Sequence, residues 1–230
     1  MPHMEERSTA RGAITIWQDV RPEARAEFFA WHNQEHIPER VGIPGFLRGR
    51  RYGALEGAPE FFTLYETAGP EVHTGAAYLA RLNSPSDWTK RMAPMMVNNV
   101  RSLCTVEWSR GLIAGGLMAT IRFDTDAAAR PRLLELLAGD RLPALIARPG
   151  VLGAHLCLAD VAASSVKTEE KKSRAVAALV PGWVVLVEGG AGREALEHAV
   201  HDLLDPTALE AAGAQNQARG IYALQASLEK

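Results

Sequence analysis

The chain has 230 residues with 25 Lys plus Arg against 27 Asp plus Glu, a net charge of −2, which leaves no basic face for a nucleic-acid backbone. Its composition, 47% apolar and 23% charged, suits a chain that buries a core unaided and is too apolar for disorder. A polar N-terminus without a secretion-type apolar region, and the absence of any run of 18 apolar residues, predict a cytoplasmic protein that spans no membrane.

In chain order, residues 13 to 20 alternate as a strand, and Pro22 opens a helix over 22 to 37. Two strands follow at 46 to 54 and 61 to 67. A helical region over about 71 to 95 is interrupted at Ser84-Pro85, and a strand covers 101 to 108. The pattern then recurs: strand 117 to 123, helix 127 to 147, strands 151 to 158 and 183 to 188, helix 191 to 204 and strand 219 to 228. Cys104 and Cys157 sit in apolar runs without CxxC spacing and are expected to be reduced core residues.

The recurrence has a fixed register. Pro143 follows Pro38 by 105 residues, Pro149-Gly150 follows Pro44-Gly45 by 105, and Thr120-Ile121 follows Thr15-Ile16 by 105. The third strand of the second copy is displaced, because Leu186 follows Leu64 by 122. A charged insertion around Ser164 to Lys172 accounts for the difference and is expected to be a mobile loop. Each copy reads βαββαβ, which gives a four-stranded antiparallel sheet with both helices on one face. The bare sheet faces must be covered. The expected fold is therefore α+β, with two tandem ferredoxin-like modules, 13–110 and 113–229, packed sheet to sheet as a pseudo-dimeric α+β barrel around a cavity.

The first helix carries residues that packing alone does not require. At about 100° per residue, His32 and His36 fall in the same apolar arc as Phe28 and Trp31. Shifting by 105 replaces Phe28, Trp31, His32 and Arg40 with Leu133, Leu136, Leu137 and Leu145, so leucine serves the same fold positions in the second copy. A buried imidazole costs about 1 to 3 kcal/mol more than leucine unless it is hydrogen-bonded. Two readings follow: satisfied core histidines, or a general acid or base at His36 or His32, with Glu35 as its carboxylate partner and Arg40 nearby.

The run Trp31-His32-Asn33-Gln34-Glu35-His36-Ile37-Pro38, followed by Pro44-Gly45-Phe46, resembles the EthD-like branch of the dimeric α+β barrel superfamily, over most of the first copy and more faintly in the second. His36 is the position that carries over. His32 occupies a place that is aromatic in that branch. The resemblance implies the fold, and with it the chemistry of a superfamily that holds isomerases, polyketide cyclases, cofactor-free monooxygenases and haem enzymes.

Other constellations compete. His32 to His36 also reads H-x-x-E-H, a zinc pattern, but a third ligand such as His73 or Glu107 would be required and Pro38 is expected to end the helix there. Haem would need an apolar pocket around His155, His198 or His201. Neither metal nor cofactor is expected. Period-2 alternation puts Arg48, Arg50 and Tyr52 on the cavity face of their strand, either clamping an anionic or carbonyl ligand or pairing with Glu66 or Glu107 between copies. Tyr65 and Thr63, with Trp17 and Thr15, are assigned the same cavity parity.

The sequence thus points to a cofactor-free acid-base enzyme acting on a small carbonyl-containing or aromatic molecule. It would use His36, His32 and Glu35 for proton transfer and Arg48, Arg50, Tyr52, Tyr65, Trp17 and Arg40 to bind substrate. The rival is a non-catalytic small-molecule-binding or partner-stabilising protein. A monomeric pseudo-dimer or a homodimer is expected in either case.

Overall fold

Alternation along strand β1 (Gly12–Val20) sends Ile14 and Ile16 to one face and Ala13 and Trp17 to the other, and both faces are buried. The same two-sided burial recurs in β3 (Phe61–Thr67) and β7 (Trp183–Gly189). With β2 (Phe46–Gly57), β4 (Met96–Gly111), β5 (Leu117–Asp124), β6 (Val151–Ala159) and β8 (Gln215–Glu229), these strands close an antiparallel barrel in the order β1-β3-β2-β8-β5-β7-β6-β4. The computed structural model describes residues 10–111, 113–173, 178–190 and 192–230.

Within each half the order is the ferredoxin-like one, β4-β1-β3-β2 and β8-β5-β7-β6. An isolated half would leave β2 and β4, or β6 and β8, as open edges; here β2 pairs β8 and β4 pairs β6, so neither half keeps one. The tandem, pseudo-dimeric α+β barrel expected from the repeat is the architecture found. The halves also share a smaller device: Asn98 and Asn216 take positive φ (51° and 53°), and their side chains donate to Asp19 and Asp124.

Three apolar compartments result. Outside the barrel, the helices of the second half cover its sheet with Leu133, Leu137, Leu142, Leu145, Leu196 and their neighbours. The helices of the first half cover theirs by packing Phe28, Trp31 and Tyr78 over the strand residues Phe46, Phe61 and Tyr65. Inside, Trp17 stacks on Phe62 with ring centroids 4.8 Å apart, and Tyr52 and Tyr222 pack beside Phe62 at 5.7 Å each. This aromatic filling removes most of the central cavity that the sequence predicts and leaves space at one mouth.

The first helix does not end before Pro38. It runs as α1 (Arg25–Trp31), a π-helical turn over His32–His36, and α2 (Ile37–Val41). Pro38 has no N–H, and its ring crowds the carbonyl four residues back. Widening the turn, with the Ile37 N–H donating to the His32 carbonyl, lets the helix pass through. The second half repeats the solution before Pro143: α5 (Arg130–Leu134), a π-helical turn over Glu135–Arg141, and α6 (Leu142–Ile146), with Leu142 donating to Leu137. Gly45 and Gly150 then turn the chain with φ of 89° and 85°. At Gly45 a Cβ would also meet Val72 at 2.5 Å.

The first half continues with α3 (Ala76–Asn83) and α4 (Asp87–Met92). The charged insertion holds two short helices, α7 (Val161–Ser165) and α8 (Glu169–Lys172), where a mobile loop is expected from sequence. Asp160 and Thr168 cap them, accepting from Ala163 and Lys171. They dock on the first half: Ser164 Oγ accepts from the Leu103 N–H at 2.9 Å, and buried Glu170 pairs with Arg40. Residues 174–177 of the insertion lie outside the described residues. The second half ends its helical layer with α9 (Arg193–Leu203) and α10 (Pro206–Ala211).

Candidate active site at the barrel mouth

The residues singled out in sequence divide between the two faces of the first-half sheet. Arg48, Arg50 and Tyr52 face the barrel interior as expected, whereas Arg51, one residue on, faces the helix layer. His32 lies in that layer, where its Nδ1 accepts from Arg51 Nη1 at 3.1 Å. His32 and His36 therefore do not share a cavity with Arg48 and Arg50, and the expected single constellation is corrected to two separate groups. Tyr65 and Thr63 are corrected likewise: Tyr65 packs with Phe46 and Tyr78 under the helices, the opposite parity from Trp17.

In the helix layer the polar residues tie elements together. His36 packs on Trp31 with tilted rings, centroids 4.3 Å apart. Glu35 accepts from Ser86 and from Thr89 at 3.3 Å, joining the π-helical turn to α4. Arg40 is held by Glu39 at 3.4 Å and by Glu170. Burial, reinforced by the Arg51 and Arg40 charges, holds the His32 pKa well below 6.5, so its ring is neutral at pH 7. His73, weighed as a zinc ligand, bonds Thr67 Oγ1 at 2.9 Å, and burial pushes its pKa down to about 4. Among the described residues no three His, Cys, Asp or Glu side chains are grouped to hold a metal. Cys104 and Cys157 are buried free thiols, the former pushed up to about 12 by burial.

The space sits at the other place, at one end of the barrel. A cavity of about 240 Å³ is lined by Arg48, Glu66, Gly153, His155, Glu188 and Lys230 among others. A recess of about 20 Å³ adjoins it, bounded by Arg50, Ser109, His155 and the apolar Leu64, Val106, Cys157 and Leu186. Trp17 and Tyr52 line neither; they belong to the aromatic filling below.

A continuous ionic network frames the opening. Arg48 grips Glu66 through two bonds, 2.6 and 2.9 Å. Arg50 bridges the halves, reaching Glu66 at 3.1 Å and Glu188 at 2.9 Å. His155 Nε2 stands 3.4 Å from the same Glu188 oxygen, and its Nδ1 is 2.7 Å from Ser109 Oγ. The second Glu188 oxygen accepts from the Gly115 N–H at 2.9 Å. Burial alone would raise both carboxyl pKa values. Hydrogen bonds from His155 and Arg50, with the Arg50 charge, hold Glu188 well below the carboxylate range, and the Arg50 charge with the Arg48 clamp lowers Glu66.

The alternation of β2 places Arg48 and Arg50 on the interior face with Glu66 as a partner, but the partner across the halves is Glu188; Glu107 is exposed. Glu188 follows Glu66 by 122, the offset already visible at Leu64 and Leu186. His155 and Gly153 occupy the positions of Arg50 and Arg48 one repeat on. Ser109 escaped notice because a β-bulge between Val106 and Trp108 reverses strand parity: Trp108 packs against the second-half core and Ser109 turns inward.

No family model and no curated protein matches the sequence. Solved structures do match the fold. An anthrone oxidase-like protein superposes with a TM-score of 0.64 at 9% identity, over 97% of this chain and 94% of its own. A candidate monooxygenase from Fusobacterium nucleatum subsp. nucleatum gives 0.61 at 9% identity, over 96% and 95%. A candidate chlorite dismutase gives 0.56 at 9%, over 94% of both chains. At such identities the likeness establishes the fold, a barrel shared along the full length of each chain, and does not transfer an activity.

Proposed function

We propose that this chain is a small-molecule enzyme of the acid-base type whose ligand enters the barrel mouth. The observation that carries the reading is a cavity of about 240 Å³ walled by Arg48, Glu66, His155 and Glu188, with Arg50 behind them. Buried charges are expensive to assemble and here they surround space, as at sites that orient polar ligands. Arg48 and Arg50 would orient a carbonyl or carboxylate, and His155, held by Glu188, would move the proton. The monooxygenase-named and oxidase-like neighbours support small-molecule chemistry on this architecture, as does the EthD-like motif. The catalysis expected of His36, His32 and Glu35 would then require the helix layer to open, since those side chains are engaged with Trp31, Arg51 and α4.

Two probes test the reading. Benzoate binding, followed by calorimetry, should weaken at least about tenfold in Arg48→Ala, the loss of one charge-assisted contact. Deuterium exchange into acetylacetone, followed by NMR, should be catalysed by the wild type and fall about 100-fold in His155→Gln. Binding without exchange favours the non-catalytic binder; absence of both sinks the site.

A further inference from the structure

We propose that Ser109 is a nucleophile and that Ser109, His155 and Glu188 form an acyl-transfer triad across the seam between the halves. The proposal rests on the barrel mouth being the ligand site, and it adds a reaction and a substrate class. Ser109 and His155 are direct partners in the β4–β6 pairing, with Oγ and Nδ1 2.7 Å apart. The far nitrogen, Nε2, lies 3.4 Å from Glu188 Oε1. An ionised Glu188 favours the tautomer that carries its proton on Nε2. That leaves the Nδ1 lone pair for the serine hydroxyl, the arrangement of base, orienting carboxylate and nucleophile by which such triads are recognised on any fold.

Two further features make this more than a hydrogen-bonded serine. The β-bulge turns Ser109 out of the second-half core and toward the recess, and bulges often re-aim a side chain in this way beside active sites. Arg50 lines the same recess. Its Nε and Nη1 are buried without a hydrogen-bond partner among the described residues, while its Nη2 meets the Glu188 oxygen that faces His155. Buried donors without acceptors are costly, and an oxyanion developing in the recess is the acceptor they lack.

The recess, about 20 Å³ and walled by Leu64, Val106, Cys157 and Leu186, has room for little more than a methyl group, whereas the outer cavity of about 240 Å³ takes a larger leaving group. The substrate class is thus an acetyl ester. Ser109 Oγ bonds the acyl carbon as His155 Nδ1 takes its proton, and the carbonyl oxygen becomes the oxyanion beside Arg50. The bond to the leaving oxygen then breaks and the alcohol departs with the proton from His155. Water, deprotonated by His155, attacks the acyl-serine; acetate leaves and Ser109 regains its proton.

The test uses the full chain with p-nitrophenyl acetate as substrate and an alkyl fluorophosphonate as trapping probe. The expected results are one phosphonate adduct by intact mass, mapped to Ser109, none in Ser109→Ala, and ester hydrolysis reduced by about 100-fold or more in Ser109→Ala and His155→Gln. Circular dichroism checks that each variant is folded; should Ser109→Ala not fold, Ser109→Cys replaces it, with accelerated iodoacetamide labelling expected at that position. An adduct elsewhere, no adduct, or hydrolysis indifferent to Ser109 overturns the nucleophile. Benzoate calorimetry run in parallel separates the two readings: intact binding with an inert Ser109 leaves the mouth as ligand site and removes the triad, whereas absent binding removes the site itself.

Discussion

At the scale of single residues, His32 shows how a buried polar group reads differently once its partner is known. Leu137 at the equivalent position suggests that His32→Leu should be harmless or stabilising. Arg51 changes the expectation, because it would lose the imidazole acceptor and keep only Asn33 at 2.8 Å and Gln225 at 3.1 Å. His32→Leu should therefore lower stability by about 1 to 2 kcal/mol in chemical denaturation, the cost of orphaning a buried donor. The two buried histidines also set a pH dependence. His32 and His73 have folded pKa values below the unfolded value of 6.5, so the unfolded chain takes up protons first and stability falls as pH drops below about 6.5. For His73 the loss levels off near its folded value of about 4, at no more than about 3 kcal/mol. A plot of denaturation midpoint against pH from 7 to 4 should slope downward on acidification, less steeply in His73→Gln; a flat profile contradicts the assigned burial. Residue parity was legible for Arg48 and Arg50 because no bulge lies between them. It failed at Ser109 because a single extra residue reverses the alternation on which such readings depend.

Among elements, the insertion is the main departure from what the sequence suggests. Its charge run reads as solvated, yet α8 turns Glu170 inward to meet Arg40, whose guanidinium is otherwise held by Glu39. Nothing local marks that residue, since the partner lies 130 positions away. Glu170→Ala should destabilise by about 2 kcal/mol, because buried Arg40 loses its close partner and keeps Glu39 at 3.4 Å. Lys172→Ala, whose ammonium among the described residues pairs with an exposed Glu169 in the same turn, should change stability by less than about 0.5 kcal/mol. Thermal denaturation of both variants checks the contrast, and equal effects would mean that α8 does not dock. The helices themselves were legible in position but not in continuity. A proline inside a helical pattern signals a stop unless a widened turn absorbs it, and the offset of 105 between Pro38 and Pro143 is the one hint that the same answer serves twice.

For the whole molecule, the fixed offset carried the architecture, because two βαββαβ units with bare sheet faces have few ways to cover them. Closure has a measurable consequence. Among the described residues every strand is paired on both sides in the ring order and leaves no edge for a second chain, so the folded protein should be a monomer of 24.9 kDa by light scattering. The aromatic interior belongs to both halves, with Trp17, Tyr52 and Phe62 from one and Tyr222 from the other, so the halves should unfold together in one transition. Near-ultraviolet circular dichroism reports the packing of the aromatic side chains in both halves and far-ultraviolet the backbone. Midpoints separated between the two signals would show independent halves.

Gly153 has a further meaning in terms of symmetry and descent. It stands where the repeat has Arg48, and a Cβ there would meet only ordinary contacts, 3.4 Å to the Arg110 carbonyl and 3.5 Å to His155. Nothing steric forbids a long side chain at its root; the doorway stands open because a glycine, and no long side chain, lines it there. A homodimer of identical subunits cannot lose one arm without losing both, since each substitution is written twice. A fused gene is free of that rule. Here two arginines stand on one side of the mouth and Gly153 and His155 at the equivalent positions on the other, giving a charged wall and a proton-carrying wall that two identical subunits related by a two-fold axis would not have. Gly153→Arg would give both sides of the mouth the same arm and should shut that doorway from within.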